Sequence, residues 1–260
     1  MQLNGTAPST VTLGDMPLTL REVEAIARQR ATVDLSQQGR AAVASARAVV
    51  DRLVESGTPA YGITTGVGSQ KDFGISTEAI ARYNNLMITA HATLAPGRDA
   101  PPEVIRAALA IQLSLFARGR SGVRLELVES LLARLQTDDL PGARLGSSVG
   151  ASDIVAMSQL AAPLIGNTAI GNGGGGPSPV GSLAAKEAVS LLNSNSLMLA
   201  EASLAIMEAR ALLDAATAAG AMSMEGFRGN VQSWSARVDA ARGQAGQTRV
   251  GVVLRTSLAI

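Results

Sequence analysis

Residues 182–219 read SLAAKEAVSLLNSNSLMLAEASLAIMEARALLDAATAA. The helical pattern persists from Ser182 to about Ala219, longer than an ordinary globular helix. Its apolar positions Leu183, Leu191, Leu192, Leu197, Met198, Leu204, Ile206, Leu212 and Leu213 spread around more than one face. Such a helix needs more than one neighbour to cover it. A bundle is therefore expected, and an oligomer with it, because monomers rarely leave an apolar surface of that size open. The polar run Asn193-Ser194-Asn195-Ser196 marks either a break in the helix or a stretch facing a cavity.

Upstream, Thr19-Leu20-Arg21-Glu22 reads as a capping box, opening a helix with Leu20, Val23, Ile26 and Ala27 on one face. A second helix is expected from about Gln38 to Glu55, with Gly57 placed to end it. The loop from Thr58 to Ile75 follows, with Gly62, Gly66, Gly68 and Gly74; loops of this length are often functional. Ser76 is placed to cap a third helix, where Ile80, Tyr83, Met87, His91 and Leu94 share a face. Further helices are expected from Pro101-Pro102 through Ala117, from Leu125 to Gln136, and from about Ile154 to Ile165. Gly171 to Pro179 lacks the Gly-Lys-Ser/Thr ending of a phosphate loop and reads as a linker. The pattern is all-α.

Composition agrees. Hydrophobic residues make up 47% and aromatics 2%, which favours aliphatic helix packing over a β-sandwich. The net charge of +1 gives no nucleic-acid footprint. With no cysteine and a single histidine, disulfides, thiol chemistry and a multi-histidine metal site are excluded. Met1 to Ser9 lacks the basic region and apolar core of a secretory leader. No apolar run approaches the ~18 residues of a membrane span. A cytoplasmic setting is the expectation.

Between two helical patterns lies Gly146-Ser147-Ser148-Val149-Gly150-Ala151-Ser152-Asp153-Ile154, a run of small residues where the backbone itself can act. Tyr61-Gly62-Ile63-Thr64-Thr65-Gly66-Val67-Gly68 and Arg118-Gly119-Arg120-Ser121-Gly122-Val123-Arg124 precede it. Ala184-Ala185-Lys186-Glu187, Leu191-Leu192-Asn193 and Ala241-Arg242-Gly243-Gln244-Ala245-Gly246-Gln247 follow. In this order and spacing the set resembles the histidine and aromatic amino acid ammonia-lyases. The resemblance runs from about residue 10 to residue 260 and covers only the N-terminal half of a usual family chain.

The resemblance implies a long-helix bundle of the ammonia-lyase/fumarase-like type with an irregular, glycine-rich N-terminal active-site region. Residues 1–180 would form the lyase-like domain and 181–260 the first part of the central bundle. Expelling an amine is difficult, and the family does it with a methylidene-imidazolone, an electrophile cyclised from an Ala-Ser-Gly triplet, a form of covalent catalysis. Ala151 and Ser152 match that triplet, but Asp153 stands where glycine is expected. Either Asp153 is the family's following aspartate and the glycine is absent, or Asp153 is the third ring residue. In both registers the attacking amide belongs to a residue with a Cβ and a charge. A plain turn before a helix, with Ser152 or Asp153 as N-cap, is the other reading.

Tyr61 matches the family's catalytic base. An ordinary tyrosine holds its proton to pH ~10, so that role needs nearby positive potential such as helix N-termini; otherwise it anchors the loop by packing. Gly68 closes the same motif on the substrate side. His91 is expected to line a substrate pocket, or to be a satisfied core histidine. Asn193 matches an asparagine that contacts electrophile and substrate, or is a polar helix-breaker bonded to neighbouring backbone. The later Gln-Asp-x-Tyr-Ser-x-Arg element, whose arginine binds the substrate carboxylate in the family, has no counterpart here. A second polypeptide supplying it is expected, in a homo- or hetero-oligomer. The activity implied is ammonia elimination, or an amine shift, on an aromatic or imidazole amino acid; the other possibility is a degenerate homologue serving assembly or regulation.

Overall fold

The computed structural model describes residues 8–14, 16–93, 96–148, 150–167 and 180–258. Leu94 and the Gly171–Pro179 linker lie outside them. Two compact units are present, Met1–Leu204 and Ala205–Ile260.

The first unit opens with strands β1 (Thr10–Leu13) and β2 (Thr32–Leu35), paired in parallel with Val11 opposite Val33 and Leu13 opposite Leu35. Those four side chains are buried, and Thr12 and Asp34 between them are exposed, the two-residue period of a half-buried strand. Helix α1 (Leu20–Arg28) lies between the strands in the chain. Its capping box is formed: the Thr19 hydroxyl accepts the Glu22 N–H, and the Glu22 carboxylate accepts the Thr19 N–H at 2.8 Å. Val23, Ile26 and Ala27 are buried, as their spacing predicts, and Leu20 is half-buried.

Helix α2 (Gln37–Ser56) ends at Gly57 in the left-handed conformation (φ 63°), a C-terminal signal the sequence carries. Ser76 does not cap an α-helix directly. A 3₁₀ turn, Thr77–Ala79, comes first, and α3 runs Ile80–His91. Helix α4 (Pro102–Ala117) starts at the proline pair and is buried along most of its length. Helix α5 (Leu125–Thr137) packs against it, and α6 (Ile154–Ala161) tightens into a 3₁₀ turn, Ala162–Ile165.

The long helical run divides at the polar segment: α7 is Glu187–Leu192 and α8 is Ser196–Gly226. The physical cause is a buried hydroxyl–amide network. The Ser194 and Ser196 hydroxyls both donate to Gln112 Oε1, at 2.6 and 2.8 Å, and Gln112 Nε2 donates to Ser190 O at 3.2 Å. These partners take the place of helix-ladder bonds where the run is interrupted.

The second unit contains α8 beyond Leu204, then α9 (Ala236–Arg242) and α10 (Ala245–Leu258). Buried Asp239 pairs with Arg255 at 2.7 Å. Leu212, Met222 and Phe227 are each more than two-thirds exposed. Among the described residues no helix is long and apolar enough to cross a membrane.

Candidate active site

Helix α7 is six residues long, yet the tyrosine loop and the arginine turn are both fastened to it. The tyrosine loop is folded around the Ala60 carbonyl, which accepts the N–H groups of Ile63, Thr64 and Thr65. The Thr64 hydroxyl donates to Thr58 O and accepts the Ala60 N–H. Two glycines of this loop are required by contact. A Cβ on Gly66 would fall 2.6 Å from Gln70 O, and one on Gly62 would meet Val189 of α7 at 3.0 Å. The loop therefore rests on α7 at Gly62, where φ is 67° and a side chain would crowd Val189.

Tyr61 projects from that loop and is 56% exposed. Its hydroxyl accepts the Gly68 N–H at 3.1 Å, so the first and last residues of the motif are joined. Tyr83 repeats the device, its hydroxyl accepting the Val67 N–H at 3.1 Å.

The arginine turn is fastened to the other end of α7. Glu187 is fully buried, and its carboxylate accepts the Arg124 N–H and Nε–H at 2.9 Å, Arg124 Nη2 at 2.8 Å and the Ala184 N–H at 2.7 Å. The hydrogen bond to Glu187 raises the Arg124 pKa further above its ordinary value. Asn84 Oδ1 accepts the Ala188 N–H and Asn85 Oδ1 the Leu183 N–H. Arg124 and Glu187 lie in motifs quoted from the sequence, whereas Asn84 and Asn85 do not stand out there as site-builders. Their one signal is polarity at positions where a helix face or turn would otherwise be apolar.

The small-residue segment is fastened just past α7, at Ser194 and at the first turn of α8. Ser152 holds a left-handed conformation (φ 63°), uncommon for a residue with a side chain. The buried Asp153 N–H donates to Ser194 O at 2.9 Å. Asp153 is the N-cap of α6 but makes no side-chain cap bond there. Its Oδ2 instead accepts the Met198 N–H at 2.9 Å, in the first turn of α8. Ala151 is exposed and Ser152 half-buried.

Asn193 ends α7, its N–H donating to Val189 O at 2.9 Å, and its side chain is exposed. It lines a cleft of about 240 Å³ with Arg118, Arg120, Ser121, Ser190 and Ser194. The Tyr61 loop rests on α7 and Asn193 ends it, while Asp153 is bonded to Ser194, just past that helix, and to Met198 in α8. His91 does not join them through hydrogen bonds. It is the last residue of α3, exposed, and its Nδ1–H donates to Met87 O at 2.8 Å. Among the described residues no group of three or more His, Asp or Glu side chains could hold a metal ion.

The family described as aromatic amino acid lyase matches residues 18–259. Histidine ammonia-lyase of Deinococcus radiodurans is 35% identical over 257 residues, covering 94% of this chain and 49% of its own. That of Symbiobacterium thermophilum is 37% identical over 250 residues, covering 92% and 49%. The ergothioneine-degrading ergothionase of Treponema denticola superposes with a TM-score of 0.86 at 26% identity, over 95% of this chain and 51% of its own. Tyrosine aminomutase of Streptomyces globisporus gives 0.86 at 25% identity, over 95% and 48%. The chain spans about half the length of the relatives it matches. The fold is the helical ammonia-lyase/aminomutase fold, and the chain belongs to the aromatic amino acid lyase family.

Proposed function

We propose that this chain is the Tyr61-bearing half of a lyase that eliminates an amine from an aromatic or imidazole amino acid, completed by a second polypeptide carrying the other half. The observation that carries this is that the tyrosine loop rests on α7, which Asn193 ends and just beyond which Asp153 bonds Ser194. Tyr61 would take the proton from the substrate's β-carbon. The Asn193 amide and the exposed arginines 118 and 120 bring hydrogen-bond donors to one cleft. Histidine ammonia-lyases among the relatives and an ergothioneine-degrading enzyme among the structures make an imidazole the first ring to test.

We infer that Ala151, Ser152 and Asp153 remain an open chain, because these residues do not fit a methylidene-imidazolone. Closure would use the Asp153 nitrogen, whose N–H is bonded to Ser194 O, while the Asp153 carboxylate is held by Met198. Cyclisation would strip a buried carbonyl of its donor and pull a buried carboxylate from its partner, each costing about 1–3 kcal/mol. No step of the reaction is routed through that ring. The same observation favours a second reading, a catalytically silent homologue kept for assembly.

The test is Tyr61→Phe in the complex of both halves. A base role predicts a loss of roughly 100- to 10,000-fold in turnover, with the unfolding midpoint unchanged because the ring stays in place. Activity retained near the wild-type level would make Tyr61 a loop anchor. A wild-type complex without activity would leave the assembly role.

A further inference from the structure

The arginine turn is held from two sides. Gly119 (φ 64°) lies so close to α2 that a Cβ there would fall 2.5 Å from Ala42 O. Arg47 of α2 fixes the end of the turn, its Nη1 donating to Gly122 O at 3.3 Å. From α7, the Ser190 hydroxyl donates to Ser121 O at 2.9 Å. The turn is therefore set in place by two helices, with no ligand needed to order it. Arg118 and Arg120 stand on it, two positions apart and both exposed.

Among the described residues neither guanidinium has a hydrogen-bond or ion-pair partner. Arg30, Arg40, Arg106 and Arg255 each reach a carboxylate. The acids nearest the turn are already committed, Glu187 to Arg124 and Asp51 to Arg47. Both free arginines line the cleft of about 240 Å³ that Asn193 borders, and no acidic side chain lines it with them. Two like charges on one small cleft repel each other, and an anion between them relieves the repulsion.

The hydrogen-bond inventory agrees with the charge. The Ser190 and Ser194 hydroxyls have given their protons to Ser121 O and Gln112 Oε1. The donors left to the cleft are the two guanidinium groups, the Asn193 amide and the Ser121 hydroxyl. A guanidinium offers a planar fork of N–H groups that matches the oxygens of a phosphate or a carboxylate. The cleft is smaller than the ~300–1,000 Å³ typical of sites for larger organic ligands.

We propose that this cleft binds a small oxyanion carrying two negative charges, either a phosphate or a dicarboxylate, between Arg118 and Arg120. Tyr61 is not among the residues lining it, and the site stands or falls independently of the lyase function. Through Asn193 the bound ion meets the end of α7, on which the tyrosine loop rests.

The experiment is calorimetric titration of the full chain at low ionic strength, at about pH 8, where phosphate is doubly charged. The probes are inorganic phosphate, malonate and, as a singly charged control, acetate. The expected result is one dianion per chain with a dissociation constant near or below about 1 mM, and acetate at least about tenfold weaker. Arg118→Met and Arg120→Met should each weaken binding roughly ten- to hundredfold. Arg120→Lys, which keeps the charge and loses the fork, should fall between. Arg228→Met, an exposed arginine outside the cleft, should bind as wild type does. All these positions are exposed, so the thermal midpoints should match wild type and separate lost binding from lost folding. Tighter phosphate identifies a phosphoryl ligand and tighter malonate a dicarboxylate; either supports the site. Acetate binding as tightly as the dianions, cleft variants binding as wild type does, or no dianion binding at about 10 mM would overturn it.

Discussion

The Asp153 carboxylate accepts the N–H of Met198, joining the small-residue segment to the first turn of the long helix α8 from 45 positions away in the chain. An N-terminal turn of a helix has N–H groups without partners inside the helix, and a carboxylate there also meets the favourable end of the helix dipole. Asp153 therefore acts as a cap for a helix to which it does not belong.

Removing that cap has a predictable effect. Asp153→Ala should lower the unfolding free energy by about 0.5–2 kcal/mol, read by urea denaturation. Asp153→Asn, which keeps an acceptor, should recover most of it. An unchanged midpoint for the alanine variant would show that α8 starts without this contact.

Arg124 and Glu187 should be unequal to lose. Glu187 is fully buried, while the Arg124 side chain is about one-third exposed. Arg124→Met strands a buried carboxylate and should cost about 3–5 kcal/mol. Glu187→Gln, which keeps an acceptor for the Arg124 and Ala184 N–H groups, should cost less. The order of the two midpoints in thermal unfolding checks this.

Asp138, the left-handed C-cap of α5, hydrogen-bonds Arg30 and buried Arg106. The bond from Arg30 foremost, with Arg106 helping, holds its carboxyl below the usual carboxylate range. A depressed folded-state pKa means stability that is present above the unfolded value, ~3.9, and lost as pH falls through the folded value. Asp138→Ala should therefore be destabilising at pH 7, and the gap from wild type should shrink in acid, as denaturation across that range would record.

The exposed apolar residues of α8, among them Leu212, Leu213 and Met222, predict association. Light scattering at micromolar concentration should give a mass well above the 26.5 kDa of one chain. A stable, non-aggregating monomer would contradict this.

Local signals carried much of the fold. The capping box at Thr19 and Glu22, the left-handed Gly57 and the proline start of α4 act within one helical turn, so neighbouring residues suffice to read them. The strands Thr10–Leu13 and Thr32–Leu35 were not legible. Four alternating residues are too few for periodicity to decide, and what makes them strands is each other, across α1. The tyrosine loop was legible as a motif because its glycines answer to contacts within the loop and with α7. The bond from Met198 to Asp153 was not, since nothing around Asp153 specifies a helix that begins at Ser196. Nor were Asn84 and Asn85, whose amides serve backbone donors about a hundred residues away.

The dependence of so many segments on α7 sets an order of events during synthesis. Residues 58–75 leave the ribosome early, as do the arginine turn and the segment around Ser152, but the surface they rest on is encoded last among them. Arg47 reaches Ala185 across 138 positions, and Asn84 reaches Ala188 across 104. Contacts of such separation must wait for loop closure and form slowly. The nascent chain therefore carries its chemistry-bearing loops unsettled until Met198, the partner of Asp153, has emerged, and a ribosome stalled before Glu187 would hold a polypeptide whose active site is not yet begun.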